Sequence, residues 1–362
     1  MSENKVYTVI GMMSGTSLDG VDVALIRTDG ETVLEPLDFR SFPYENPLRE
    51  AVRACFGLRG RHQVVDEAER MITDAHIEAV QAFGHDADLI GFHGQTITHD
   101  PEHQFSWQIG EPQRLAQETG IDVIGDMRQA DMRAGGHGAP LLPIYHRARS
   151  GELEKPLAVL NIGGVANVTY IGEGDEILAF DTGPGNALIN DYVQACTGRQ
   201  FDHDGEMAAH GKILENVLSH CLDHPYFHVK PPKSLDRNDF AKLPPELSPN
   251  MEIVSEADAV ATLTEFTVQS VRRALDYLPD VPKAWWVTGG GRHNKTMMKR
   301  LEAVLQAPVQ PVEGAGWKGD AIEAEGFAYL AVRSLRNLPL TLPSTTGVKE
   351  PITGGKLYKK DV

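Results

Sequence analysis

The 362 residues carry 34 Lys and Arg against 51 Asp and Glu, a net charge of −17, which excludes a nucleic-acid or anionic-membrane surface as the expected partner. Hydrophobic residues make up 41% and charged residues 23%, an ordinary globular balance, and no run of about 18 apolar residues suggests a membrane span. Cys55, Cys196 and Cys221 are odd in number and far apart, and the N-terminus lacks an apolar signal core, so the expectation is a cytoplasmic protein without a disulfide framework.

In chain order, Val6 to Ile10 is rich in β-branched residues, and Val21, Val23 and Leu25 alternate with Asp22 and Ala24. The pattern predicts strand, tight polar turn, strand. Gly11, Ser14, Gly15, Thr16, Ser17 and Gly20 give the turn backbone freedom and hydroxyls, and Asp19 is its one fixed charge. Such a turn is either an ordinary β-turn or a cradle of N–H groups for a phosphate. It is not a Walker loop, because no Gly-Lys-Ser/Thr follows. Apolar residues at helical spacing from Val64 to Phe83 predict a helix. A short strand, Asp88–Phe92, then runs into the polar segment His93–His99, and further strand signals lie at Phe105–Ile109 and Ile121–Ile124. Strands that end in polar glycine-bearing loops are how α/β sheets present ligand sites.

The charged link Arg147–Pro156 marks the expected boundary between a first lobe, 1–150, and a second, 151–362, whose tail packs back on the first. Immediately afterwards Leu157–Tyr170 repeats the opening plan of strand, glycine turn and strand. Ala179–Asn186 ends another strand before a helix from Ala187 to Cys196. The polar, proline-rich stretch 198–250 reads as loops and short helices, and Asp202, Asp204 and His210 within it fit no standard metal spacing. An amphipathic helix is expected over Ala257–Leu278. The strand Lys283–Thr288 enters Gly289-Gly290-Gly291 and a helix over Lys295–Leu305, a long apolar helix follows at Gly319–Val332, and the tail after Pro339 reads as an extended arm.

Three glycine turns, after Ile10, Leu160 and Val287, resemble the plan of the sugar-kinase, heat-shock-chaperone and actin superfamily. The detailed match is narrower. Gly11–Asp22, Phe92–Thr96, Gly136–Leu141, Asn161–Gly164, Asp181–Asn186, Pro232–Ser234 and Val287–Gly291 stand in the order seen in the anhydro-N-acetylmuramic acid kinase family. The resemblance spans roughly residues 6–352 and implies an α/β fold of two actin-like ATPase lobes with ribonuclease H-like sheets, flanking a nucleotide and substrate cleft that closes on substrate. It implies ATP with Mg²⁺ as cofactor, a small sugar as partner, and a homodimer.

By the same resemblance, Gly15, Thr16, Ser17, Leu18, Asp19, Gly20, Val21 and Asp22 bind the ATP phosphates, Gly163 and Gly164 form the second phosphate turn, and Gly289, Gly290, Gly291 and Asn294 the adenosine side. No dedicated metal site is implied; Mg²⁺ arrives with ATP, within reach of Asp19. Asp181 matches the family's catalytic base, although its position also suits a helix N-cap. On the sugar side stand His93, Gln95, Arg128, Asp131 and Glu323, at expected loop or helix positions. Arg128 suits a lactyl carboxylate or an ion pair with Asp126 or Asp131. Glu323 suits sugar hydroxyls or a buried Arg. Gln129, Ala130 and His137 depart from residues more usual in the family.

The implied reaction is ring opening of the 1,6-anhydro sugar by water and phosphorylation of its 6-oxygen by ATP, to N-acetylmuramic acid 6-phosphate and ADP in cell-wall recycling. The rivals are a kinase of another 1,6-anhydro sugar such as levoglucosan, a non-catalytic sugar sensor, and an actin-like filament former.

Overall fold

β1 (Tyr7–Ser14), β2 (Gly20–Thr28) and β3 (Leu34–Pro43) form an antiparallel meander in a computed structural model that describes residues 5–174, 176–236, 239–240, 244, 247 and 254–361. The helix Gln63–Phe83 buries Val65, Ala68, Ile72, Ile77, Val80 and Phe83 along one stripe, as its spacing predicts, and stops at Gly84 in the left-handed region. β4 (Leu89–Asp100) returns parallel to β1, β5 (Phe105–Ile109) folds back on it antiparallel, and β6 (Val123–Gly125) lies parallel on its other side.

One expectation changes here. The strand does not stop at Phe92; it runs on through His93 and Gln95 to Asp100, because the hairpin with β5 supplies partners for the polar half. His93 and Gln95 are therefore strand residues rather than loop residues.

β7 (Leu157–Ile162), β8 (Val165–Ile171) and β9 (Ile177–Pro184) repeat the antiparallel meander. The helix Ala187–Thr197 follows, then the short elements of the 198–250 region, of which 237–238, 241–243, 245–246 and 248–250 lie outside the described residues. Ser255 caps the helix Glu256–Ala274 by accepting from the Asp258 N–H at 3.1 Å. β10 (Trp285–Thr288) runs parallel to β7 and, after the helix Lys295–Leu305, β11 (Val309–Pro311) runs parallel to β10. The order β11-β10-β7-β8-β9 matches β6-β4-β1-β2-β3 strand for strand. This is the ribonuclease H-like arrangement, a meander extended by two parallel strands, and it occurs twice. β7 is almost wholly apolar because both faces of a central strand are covered.

The chain then returns to its first sheet. The compact units are Met1–Gly151 with Asp320–Val362, and Glu152–Gly319. The expected second lobe, 151–362, therefore ends at Gly319, and the helix Ile322–Leu335 belongs to the first unit along with the tail. The physical reason is two glycines. A side chain on Gly11 of β1 would come 1.8 Å from the Ala324 carbonyl oxygen, and one on Gly91 of β4 would come 2.2 Å from that of Phe327. The helix backbone lies directly on the strands, burying Phe327, Leu330 and Val332, each worth about 1.5–3 kcal/mol. The tail is less extended than expected: a turn of helix at Pro343–Thr346 precedes β12 (Lys356–Tyr358), which pairs antiparallel with β6.

Candidate active-site residues

In the first unit the β1–β2 turn is held from behind. Leu18 is buried with φ +60° and donates its N–H to the Gly15 carbonyl at 3.1 Å, so its side chain anchors the turn while Ser17 and Asp19 stay exposed. Gln95 donates to the same Gly15 carbonyl at 3.2 Å, and the Ser14 hydroxyl donates to the Gly94 carbonyl at 3.2 Å. Gln95 thus braces the β1–β2 turn from β4.

Asp22 accepts a short hydrogen bond from Ser41, and burial, with Asp320 and Asp19 nearby, pushes its carboxyl up to about 6. Glu323, half-buried in the first turn of the helix Ile322–Leu335, is pushed up to about 7 by desolvation and by Asp22, against the opposing pull of Arg128. The same Arg128 donates from Nε and Nη2 to His93 Nε2, at 3.2 and 3.0 Å, and from Nη1 to the Gly138 carbonyl at 2.7 Å. His93 is held neutral by burial and by the guanidinium, and its Nδ1 lies 2.7 Å from the Gly94 carbonyl. With Nδ1 carrying the proton, Nε2 is the acceptor that Arg128 requires.

Asp131 lies in the short helix Gln129–Arg133, one of the loop or helix positions expected for it. It is 1% exposed, and its carboxylate accepts from the Gly138 N–H at 2.6 Å and from Thr341 and Thr346 hydroxyls at 2.5 and 2.6 Å. These bonds commit it to holding the loop around Gly136 and Gly138, where a side chain on Gly136 would meet Asp131 Oδ1 at 2.2 Å. Asp131 shapes the loop.

In the second unit, Asp181 lies inside β9, five residues before Asn186, the residue that begins the helix Ala187–Thr197, so the helix-cap alternative is excluded. It is 6% exposed, its N–H donates to the Lys233 carbonyl at 3.0 Å, and its Oδ2 accepts from the Leu235 N–H at 2.8 Å. The register shifts between Ala166 and Asn167 of β8, opposite Asp181 and Gly183, and such a bulge re-aims a side chain. Beyond it, the glycine turn at Gly163 and Gly164 docks on the strand end: the Gly185 and Asn186 N–H groups donate to the Gly164 and Gly163 carbonyls at 2.9 and 2.7 Å. A side chain on Gly185 would come 2.3 Å from the Gly163 carbonyl oxygen.

The third glycine turn joins this group. Asn161 of β7 is paired with Thr288 of β10, so the turns that follow those strands are neighbours. Gly289 has φ +74°, and a side chain there would meet Asn161 Oδ1 at 2.4 Å. Buried Arg292 donates to the Gly289 carbonyl at 2.9 Å and pairs with Glu313 at 3.0 Å, bracing the turn from below. Asn294 caps the helix Lys295–Leu305, accepting from the Met297 N–H at 2.9 Å. The glycine turns that follow β7 and β10 therefore lie side by side at the ends of those strands, with Gly291 packed against Ile162.

A profile of the family described as anhydro-N-acetylmuramic acid kinase matches residues 7–360. The chain belongs to the anhydro-N-acetylmuramic acid kinase family. A kinase of that name from Paramagnetospirillum magneticum is 50% identical over 354 residues, covering 96% of this chain and 98% of the relative. Those of Zymomonas mobilis and Rhizorhabdus wittichii are 48% and 47% identical, over 96% and 97% of this chain and 99% and 98% of their own. As a member of this kinase family the chain is an enzyme, and the sensor and filament rivals lose their ground.

One neighbour of Asp181 escaped the sequence reading: Lys233 sits in the quoted Pro232–Ser234 block, yet nothing in the block itself says that it lies against Asp181. Asp202 caps the turn that follows it, accepting from the Met207 and Ala208 N–H groups, and Asp204 pairs with Lys295 at 2.7 Å. Among the described residues no group of three or more His, Cys, Asp and Glu could hold a metal, and no helix is long and apolar enough to cross a membrane.

Proposed function

We propose that this kinase uses ATP and water to convert 1,6-anhydro-N-acetylmuramic acid into N-acetylmuramic acid 6-phosphate and ADP, as a cytoplasmic step of peptidoglycan recycling. Asp181 accepts a proton from water, the water oxygen bonds to the anomeric carbon, and the bond from that carbon to the 6-oxygen breaks. The released 6-oxygen attacks the γ-phosphorus, and the bond to the β-phosphate oxygen breaks to leave ADP. The observation that carries this reading is the anchoring of Asp181: a carboxylate with one oxygen on the Leu235 N–H is fixed in orientation before substrate arrives. Gly163, Gly164 and the 289–291 turn hold phosphate and adenosine through main-chain contacts, and Gly15–Asp22 hold phosphate from the first unit. Mg²⁺ carried in by the nucleotide neutralises phosphate charge when bound, with exposed Asp19 as the carboxylate within its reach. Glu323 and Arg128 bind the sugar, Arg128 through its lactyl carboxylate.

The test is turnover of the anhydro sugar with ATP, Mg²⁺ and ¹⁸O-water. Label is expected on the anomeric carbon of the 6-phosphate product, and Asp181→Asn lowers kcat ~10²–10⁴-fold. Label in phosphate instead, or faster turnover of levoglucosan, which lacks the lactyl and acetamido groups, overturns the proposal.

A further inference from the structure

A buried cation beside Asp181, Lys233, has no assigned part. Lys233 is 4% exposed, an uncommon state for a lysine, and its Nζ donates to the Tyr226 carbonyl at 3.1 Å. The ammonium lies 4.3 Å from the Tyr226 ring centroid and 5.0 Å from that of Tyr277, so two aromatic faces hold it in place. Around Asp181 the same short segment closes on three sides. The Lys233 carbonyl accepts from the Asp181 N–H, the Leu235 N–H donates to its carboxylate, and the Tyr226 hydroxyl donates to its carbonyl at 2.5 Å.

We propose that Lys233 is a positioning residue for Asp181, a fixed buried positive charge that keeps the carboxylate ionised while the segment 233–235 holds its orientation. The inference rests on the reading of Asp181 as the base. A cation near a buried carboxylate favours the charged form. The coupling runs both ways. Burial, opposed by Asp181 and aided by Arg273, lowers Lys233 to about 8, so the lysine remains charged at neutral pH. Tyr226, Tyr277 and Arg273 also face this pair, with Asp239 acting on Tyr226. Tyr226 is raised by burial and by Asp181, so it stays a neutral donor. Lys233 is thus a basic neighbour of the carboxylate, and the backbone of its own segment orients it.

Lys233→Met keeps the stem and removes the charge. The acid limb of kcat/KM is expected to move up by about one pH unit, so that activity falls about ten-fold below the limb and little above it, with KM for ATP unchanged. A merely structural lysine would lower activity by the same factor at every pH, and that outcome overturns the proposal. Lys233→Arg restores the charge in a wider group; its limb stays where the parent's lies even if kcat drops. If Lys233→Met does not fold, the arginine variant alone decides, because a limb that moves with the charge retained is fatal. Asp181→Asn separates this inference from the one beneath it. Full activity there removes the base itself, whereas an inactive Asp181→Asn beside an unmoved Lys233→Met limb removes only the role of Lys233.

Discussion

Glu323 and Asp22 place two carboxyls with raised affinity for protons on one edge of the first sheet, a costly arrangement for the fold. Glu323 titrates near 7 in the folded chain against an ordinary 4.5. The folded state therefore holds more protons than the unfolded chain between those values, and stability falls as pH rises from 4.5 to 7. The cost is complete above pH 7 and absent below 4.5. Glu323→Gln should stabilise the protein by on the order of 2 kcal/mol at pH 8 and leave it unchanged near pH 4.5, while turnover of the sugar falls. Denaturant unfolding of both proteins at the two pH values checks this. A gain of equal size at both would show that packing, and not charge, sets the cost. His93 is the contrasting case. It escapes the same penalty by staying neutral, and it serves Arg128 as an acceptor, a role a protonated imidazole cannot fill.

At the scale of elements, the first unit depends on the helix Ile322–Leu335 lying against β1 and β4 with almost no side chain between. Gly91→Val should therefore cost more than its loss of chain flexibility would return. The added carbons drive into the Phe327 carbonyl, and the helix must lift, which lowers stability by about 1–3 kcal/mol or more. The same lift shifts Glu323, so KM for the sugar should rise while KM for ATP holds. Thermal unfolding with kinetics reads both, and a fully stable, active Gly91→Val protein would show that the helix is not seated as described. Elements of this kind also show what the sequence could carry. The helix Gln63–Phe83 and the twin openings at Val6 and Leu157 were legible because period and turn chemistry agree there. The second half of β4 was not, since His93-Gly94-Gln95-Thr96 has the composition of a ligand loop and only its partner β5 makes it a strand. The partners of Asp131 were hidden for a similar reason. Thr341 and Thr346 are about two hundred residues away, and no local pattern announces them.

For the molecule as a whole, the second unit is an insertion in the first. Sequence adjacency suggested a cut near residue 150, yet Asp320–Val362 supplies the first sheet with the helix that covers β1 and β4, and with the edge strand β12. Without them Ile10, Ile90 and Val123 belong to a sheet whose other face has lost its apolar cover, and a unit of that size has no stability to spare. A fragment of residues 1–151 is accordingly expected to be insoluble or unfolded. The same fragment co-expressed with 320–362, or joined to it by a Gly/Ser linker, regains a cooperative thermal transition. Residues 152–319 hold a complete strand order and their own apolar core, and should unfold cooperatively alone. Circular dichroism with thermal melts of the three constructions decides. If 1–151 folds unaided, the returning helix is an ornament on the first sheet, and the placement of Glu323 beside Asp22 and Arg128 no longer follows from how the chain folds.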